Sequence, residues 1–517
     1  MYYQKSITRW ANIIATLALV STLLLTAGFV YAARMGGGGC GGGCGGGSGS
    51  VIDPPIGSLF KDPVEATNIS TVPGVVEINL EAKVAPININ GTIANLMTYN
   101  GFFPGPTIRI RRGDTLKVHM KNSLPYTNQT NILGYQKNII NLHTHGMHVS
   151  PEEPSDFVMY DLLPGETYDH EYDTSFQEPG ALNFYHPHKH GVSAEQYWAG
   201  LAGQLVVEDE TPVLSSYETH IMVLKDISLS GSQPAPHATM MDYMHGKEGN
   251  VIMVNGQVNP RLYAKNGQVQ RWRILNASNA RFYKLSLESH SVYIIGTDGG
   301  PLDKPYQLSE VLLSPGERVD LLVRFTKGSG NYRLRALPYS RMGMSGGQTI
   351  TLLTTTYKSS VSPAQALPGA VNPYVMRLNP NAIPIAANRV FTLSMSMNAG
   401  YINGQTFDVD PYMIMSRVGT YEIWTIVNQS GMDHPFHQHV NPALVLSVTG
   451  GDAGYASLYT STPAWKDTVL VPKMGSVTML VPVMDFTGMA MFHCHILEHE
   501  DIGMMGMWHL MGMPMPM

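Results

Sequence analysis

One short pattern recurs three times at nearly constant spacing, and it constrains the fold more than any other feature of the chain. Gly113 is followed nine residues later by Asn122, Gly267 by Asn276, and Gly419 by Asn428. The copies are offset by 267 − 113 = 154 and 419 − 267 = 152 residues. Within each copy the fifth and seventh residues after the glycine are apolar: Val118 and Met120, Trp272 and Ile274, Trp424 and Ile426. Alternation of that kind puts both side chains on one face of a strand. A repeat of this period marks one structural unit built three times, and 517 residues accommodate about three domains of ordinary size.

Turn signals between short alternating runs extend the reading, as in Phe103-Pro104-Gly105-Pro106 and Ser314-Pro315-Gly316-Glu317-Arg318. With Gly 52, Pro 34 and only 14% charged residues, the composition suits a turn-rich β protein. The expected architecture is all-β: three related sandwiches near residues 55–210, 211–357 and 380–517, with a linker at 358–379 centred on Ser359–Pro368. A net charge of −6 argues against a nucleic-acid partner. Three cysteines, two of them (Cys40 and Cys44) in a glycine tract, form no readable disulfide framework.

The N-terminus carries Lys5 and Arg9 before an uncharged apolar run from Trp10 to Ala33, with small residues at its end. Residues 1–34 read as an export signal or, if retained, as a membrane anchor. Both place the protein outside the cytoplasm, in the periplasm, the cell envelope or the medium. Residues 35–54 read as a Gly-rich tether.

Ten of the 19 histidines fall in four short segments. These are His143-Thr144-His145, His186-Pro187-His188, His434-Pro435-Phe436-His437-Gln438-His439, and His493-Cys494-His495 with His499 and Met504 following. Each contains an H-x-H unit, and on an extended chain such a unit aims two imidazoles into one space. The first and third domains each contribute two units, and the middle domain has none. The simplest geometry packs the first domain on the third, with the pairs converging at their interface. Eight imidazoles are too many for one zinc and suit a cluster of coppers. His434, Cys494 and His499 remain, with Met504 five residues beyond His499. Two histidines, a thiolate and a weak thioether make a blue-copper electron-transfer site. His493 and His495 alternate to the other side of the strand from Cys494, which gives electrons a short covalent route.

On these motifs the sequence resembles the three-domain multicopper oxidases, a family of laccases, bilirubin oxidases and bacterial cuprous or ferrous oxidases. The resemblance spans about residues 55–517, and all four motifs are complete. It implies three consecutive cupredoxin-like Greek-key β-sandwiches, with copper sites in domain 3 and at the interface of domains 1 and 3. It implies four copper ions. A type 1 copper would sit on His434, Cys494 and His499 with Met504 axial, and a type 2 copper on His143 and His437. A type 3 pair would take His145, His186, His188, His439, His493 and His495. Asp156 and Glu500 match family carboxylates that deliver protons to dioxygen. His148 and His190, beside the first motifs, read as supporting or solvent-facing groups.

The electron donor is less constrained. Asp433, just before His434, could take a proton from a phenol, hold a metal cation, or be an ordinary solvated acid. Met240, Met241 and Met244 lie with His237 and His245, Met342 lies with Met344, and the tail carries Met505, Met507, Met511, Met513, Met515 and Met517. Thioethers bind cuprous ion, although methionine also fills cores adaptably. The leading expectation is an exported laccase-like oxidase that uses dioxygen and a small aromatic donor. The alternatives are a cuprous or ferrous ion oxidase and, more distantly, a non-enzymatic copper-binding cupredoxin.

Overall fold

The computed structural model describes residues 51–210, 212–343 and 347–512. The expected signal or anchor, most of the tether, Cys40, Cys44, Met344, Met513, Met515 and Met517 lie outside the described residues. Among the described residues no helix is long and apolar enough to cross a membrane.

Three β-sandwiches follow one another along the chain, as the repeat requires. In each, the repeat strand is central, with one parallel and one antiparallel neighbour. Thr115–Asn122 lies between Val75–Ile89 and Thr167–Asp173, Val269–Asn276 between Glu218–Ile227 and Arg318–Arg324, and Thr420–Asn428 between Ile385–Met395 and Ser476–Val483. The segment before the first sandwich runs along the second: Val51–Ile52 adds a parallel strand beside Thr349 and Ile350.

Both recurring ends of the repeat have a physical role. The glycines turn the chain into the strand at φ 90°, 86° and 83°, a left-handed region that disfavours any side chain. The asparagines are buried corner braces. Asn122 donates to the carbonyls of Asn138 and Leu162, Asn276 to those of Arg281 and Leu313, and Asn428 to those of Met432 and Val471. Each Oδ1 accepts the backbone N–H two residues on. The predicted apolar pairs all lie in the core.

The outer strands alternate buried and less buried residues, but the middle repeat strand is buried at all eight positions. Its outward side chains include Arg271 and Arg273, which reach Asp209 (2.5 Å) and the Gly180 carbonyl (2.6 Å) at the end of the first sandwich. The middle domain is therefore a packed core element of the assembly, which explains why its alternation of polarity does not become alternation of exposure.

Candidate metal centre

The paired histidines stand on short strands that pair with one another. His143–His145 runs antiparallel to Leu182–His186, with His143 opposite His186. In the third domain His434–Gln438 runs antiparallel to Gly488–Cys494, with His437 opposite His493. Two histidine ladders thus face each other across the interface of the first and third sandwiches. His145 stacks on His437 at 3.7 Å between ring centroids, and His143 on His439 at 3.9 Å. His493 Nε2 lies 3.2 Å from His188 Nε2 and 3.3 Å from His439 Nε2.

Ring nitrogens converge in three triads: His143–His145–His437, His145–His186–His495 and His188–His439–His493. All eight rings are buried. Burial first, then repulsion from neighbouring rings, pulls the imidazoles of His143, His145, His186, His439, His493 and His495 well below their usual range. Charge on these rings is disfavoured, and a neutral imidazole keeps one lone pair for a metal ion.

Their outward nitrogens are spoken for. His143 Nδ1 donates to Asp156 (2.8 Å), His145 Nε2 to Asp467 (3.0 Å), His186 Nδ1 to the Pro187 carbonyl (2.9 Å), and His437 Nδ1 to the Asp467 carbonyl (2.9 Å). The opposite nitrogens, His143 Nε2, His145 Nδ1, His186 Nε2 and His437 Nε2, are buried without any partner, as are both of His495. Orphaned buried polar atoms need an explanation, and orientation of a ring by its second nitrogen is the usual support of a metal ligand. The donor set fits metal ions.

A second cluster is built around Cys494, between His493 and His495 in the chain. His434 Nδ1 is 3.3 Å from Cys494 Sγ, His499 Nδ1 is 3.5 Å from it, and the two nitrogens are 3.2 Å apart. Met504 is buried and bonded through its backbone to Cys494 and His499. Gly400 makes room for it, since a Cβ there would fall 2.7 Å from Met504 Cβ. Ser430 Oγ accepts His434 Nε2–H (2.7 Å) and the Met244 carbonyl accepts His499 Nε2–H (3.1 Å), so both Nδ1 lone pairs face the sulfur. Burial pushes the Cys494 thiol far up. A bound metal would favour the thiolate that burial disfavours. Cys494 and its neighbours His493 and His495 join the two clusters covalently.

The carboxylates divide. Asp156, beside His143, is raised to about 7 by burial, against the bonds it accepts from Thr144. Glu500 Oε2 lies 3.2 Å from His493 Nδ1. Burial, then the charge of Asp501, pushes its carboxyl well above the usual range. Asp433 departs from the expectation of a donor-facing or solvated acid. It is 2% exposed and accepts from Tyr339 Oη (2.6 Å) and the Lys473 N–H (2.7 Å), which directs both oxygens into the protein. His237 is likewise committed, to Glu498 (2.8 Å). His148 and His190 bind Asp485 and Asp408 of the third domain.

Two further residues stand outside every sequence motif: Asp467, which orients His145 and His437, and Arg318, which donates to it (2.8 Å through Nη1). Burial opposes charge on Asp467, but the Arg318 guanidinium outweighs it and holds the carboxyl well below the usual range. No spacing marks these two residues. Arg318 was visible only as the end of a turn.

Three sandwiches, a Cys–His₂ cluster and a histidine cluster shared by the first and third define a class of copper proteins in which a thiolate strand connects two metal sites. The chain belongs to the multicopper oxidase family. Family models described as multicopper oxidase match residues 81–212, 211–360 and 382–510. It is similar to a laccase of Bacillus subtilis, 27% identical over 484 residues covering 83% of this chain and 93% of that protein. It is also similar to the cell division protein FtsP of Salmonella typhimurium, 28% identical over 401 residues covering 76% and 79%. A solved multicopper oxidase from Campylobacter jejuni, described as a metallo-oxidase, superposes with a TM-score of 0.77 at 27% identity, covering 90% of this chain and 98% of that one.

Proposed function

We propose that the protein is an exported dioxygen-reducing oxidase whose electron donor is a reduced soft metal ion, cuprous ion foremost. His434, Cys494 and His499, with Met504, would hold the type 1 copper, and His143 and His437 the type 2. The triads His145–His186–His495 and His188–His439–His493 would hold the type 3 pair. When bound, these coppers supply one-electron oxidation of the donor and four-electron reduction of dioxygen to water. The chain itself supplies the geometry and the protons. Glu500, 3.2 Å from His493 with its carboxyl raised by burial, and Asp156, beside His143 with its carboxyl raised to about 7, would supply those protons. Cys494 gives a through-bond path to His493 and His495.

The observation that carries the donor assignment is the cover on His499. Its outer nitrogen is capped by the Met244 carbonyl, so the Met240–His245 helix lies over the histidine an aromatic donor would have to approach. That helix offers Met240, Met241, Met244 and His245, with Met241 47% exposed. Arg341 donates to the carbonyls of His245 and Gly246 and pins the helix end. Soft thioethers favour cuprous over ferrous ion. The likeness to a metallo-oxidase supports this reading, and the likeness to a laccase supports the aromatic alternative. The complete ligand set supports catalysis over a purely structural role. The apolar segment after Lys5 and Arg9 supports export.

Oxygen uptake by copper-loaded protein tests it, with cuprous ion, ferrous ion and a methoxyphenol compared in one preparation. Cuprous ion should give the largest kcat/KM. Met241→Leu with Met244→Leu should lower that value about tenfold while leaving the phenol rate unchanged. Faster uptake with the phenol would make the protein a laccase. A copper-loaded protein without blue colour would return it to the non-catalytic class.

A further inference from the structure

The C-terminal sheet of the third sandwich carries a second set of soft ligands, distinct from the Met240–His245 helix. Tyr412–Arg417 pairs parallel with Met505–Met511, which pairs antiparallel with Gly488–Cys494. Residues directly paired across strands share a face. The register sets Met413 beside Met507 and Met507 beside Met491; one rung outward it sets Met415 beside His509 and His509 beside Met489. The alternate residues Ile414, Trp508 and Ala490 point into the core.

Met413 and Met415 are 49% and 58% exposed, and Met489, Met507 and His509 are half-buried. The water-facing side of such a sheet ordinarily carries polar side chains. Here two adjacent rungs present four accessible thioethers and one imidazole, with no carboxylate among them. Nothing among the described residues hydrogen-bonds to the His509 ring. Strands about 4.8 Å apart, bearing side chains with three rotatable bonds, allow these donors to meet at one point. This row continues the face that carries His493. The Met507 rung, through Met491, lies 493 − 491 = 2 residues along the strand from His493, about 7 Å away, and the Met489 rung 493 − 489 = 4 residues, about 14 Å away; the buried Met491 stands between the exposed donors and His493.

We propose that Met413, Met415, Met489, Met507 and His509 form a binding site for one cuprous ion on the outer face of this sheet. Thioether and imidazole donors without a carboxylate select a soft monovalent cation over hard divalent ions. The site does not depend on which donor the oxidase uses.

Silver ion, a soft cation without accessible redox chemistry, is the probe, added to copper-loaded full-length protein in chloride-free buffer. Metal analysis after desalting counts the bound silver, and crystals soaked in silver nitrate locate it. Met413→Leu/Met415→Leu/Met507→Leu, a volume-conserving change on the surface, should bind one equivalent fewer than wild type with its blue band and Tm unchanged. His509→Gln alone should weaken that equivalent about tenfold. Anomalous density should lie between Met415, His509 and Met489. Equal silver counts in wild type and triple variant, or density at the Met240–His245 helix but none on this face, overturns the proposal. Neither result bears on the oxygen-uptake comparison, which reads the His499 side of the molecule.

Discussion

His170 illustrates how one buried ring couples this protein to pH outside the metal sites. Its Nδ1–H donates to the Ser155 carbonyl (2.9 Å) and its Nε2 accepts from Tyr160 Oη (2.9 Å), an arrangement available only to the neutral ring. Burial pushes the imidazole down to about 4 from an ordinary 6.5. Below 6.5 the unfolded chain takes up a proton that the folded chain refuses, so the stabilisation is complete above that value and fades as pH falls towards 4. Wild type should therefore lose about 2–3 kcal/mol more than His170→Gln between pH 7 and pH 4.5. Denaturant unfolding of both copper-free proteins at the two pH values measures it. An equal loss would mean that His170 is protonated in the fold.

At the scale of elements, the three corner asparagines invite a comparison within one molecule. Removing any of these amides strands two buried carbonyls and one buried N–H, at a cost of about 2–4 kcal/mol. Asn276 braces a domain without ligand histidines. Asn428 also holds the N–H of Ser430, whose hydroxyl accepts from His434. Asn276→Ala should lower Tm with the blue band unchanged. Asn428→Ala should lower Tm comparably and also broaden or shift that band, as thermal unfolding and visible absorption would show. If both variants left the band unchanged, Asn428 would be a brace alone. The repeat is thus the trace of a turn glycine and a corner brace that each sandwich needs for itself, which is why it is legible without any tertiary information.

For the whole molecule, Arg318 ties the three domains together. Rooted in the middle sandwich, it donates to the Leu182 carbonyl of the first (2.9 Å) and to Asp467 of the third, which orients His145 and His437. It is fully buried, and removing one partner of such a pair costs about 3–5 kcal/mol because the other charge is stranded. Arg318→Met should leave the blue band of the Cys494 site while copper content falls below that of wild type and the type 2 EPR signal weakens. Arg318→Lys should restore part of both. Unchanged copper content in Arg318→Met would confine the residue to domain packing. The middle domain, which has no ligand of its own, thus acts on the shared histidine cluster through the Arg318 guanidinium and on His499 through the Met244 carbonyl.

The sequence by itself determined the three sandwiches and the identity of the clustered residues, because both rest on local rules. Alternation along a strand aims His143 with His145 and separates Cys494 from its neighbours whatever surrounds them. Only the tertiary structure decided which way Asp433 faces, that Met244 caps His499, that Arg318 reaches Asp467, and that Met415 stands beside His509. Each of these joins residues far apart in the chain through strand register or domain packing. Those arrangements depend on how whole surfaces bury one another, and no short stretch of sequence carries that information.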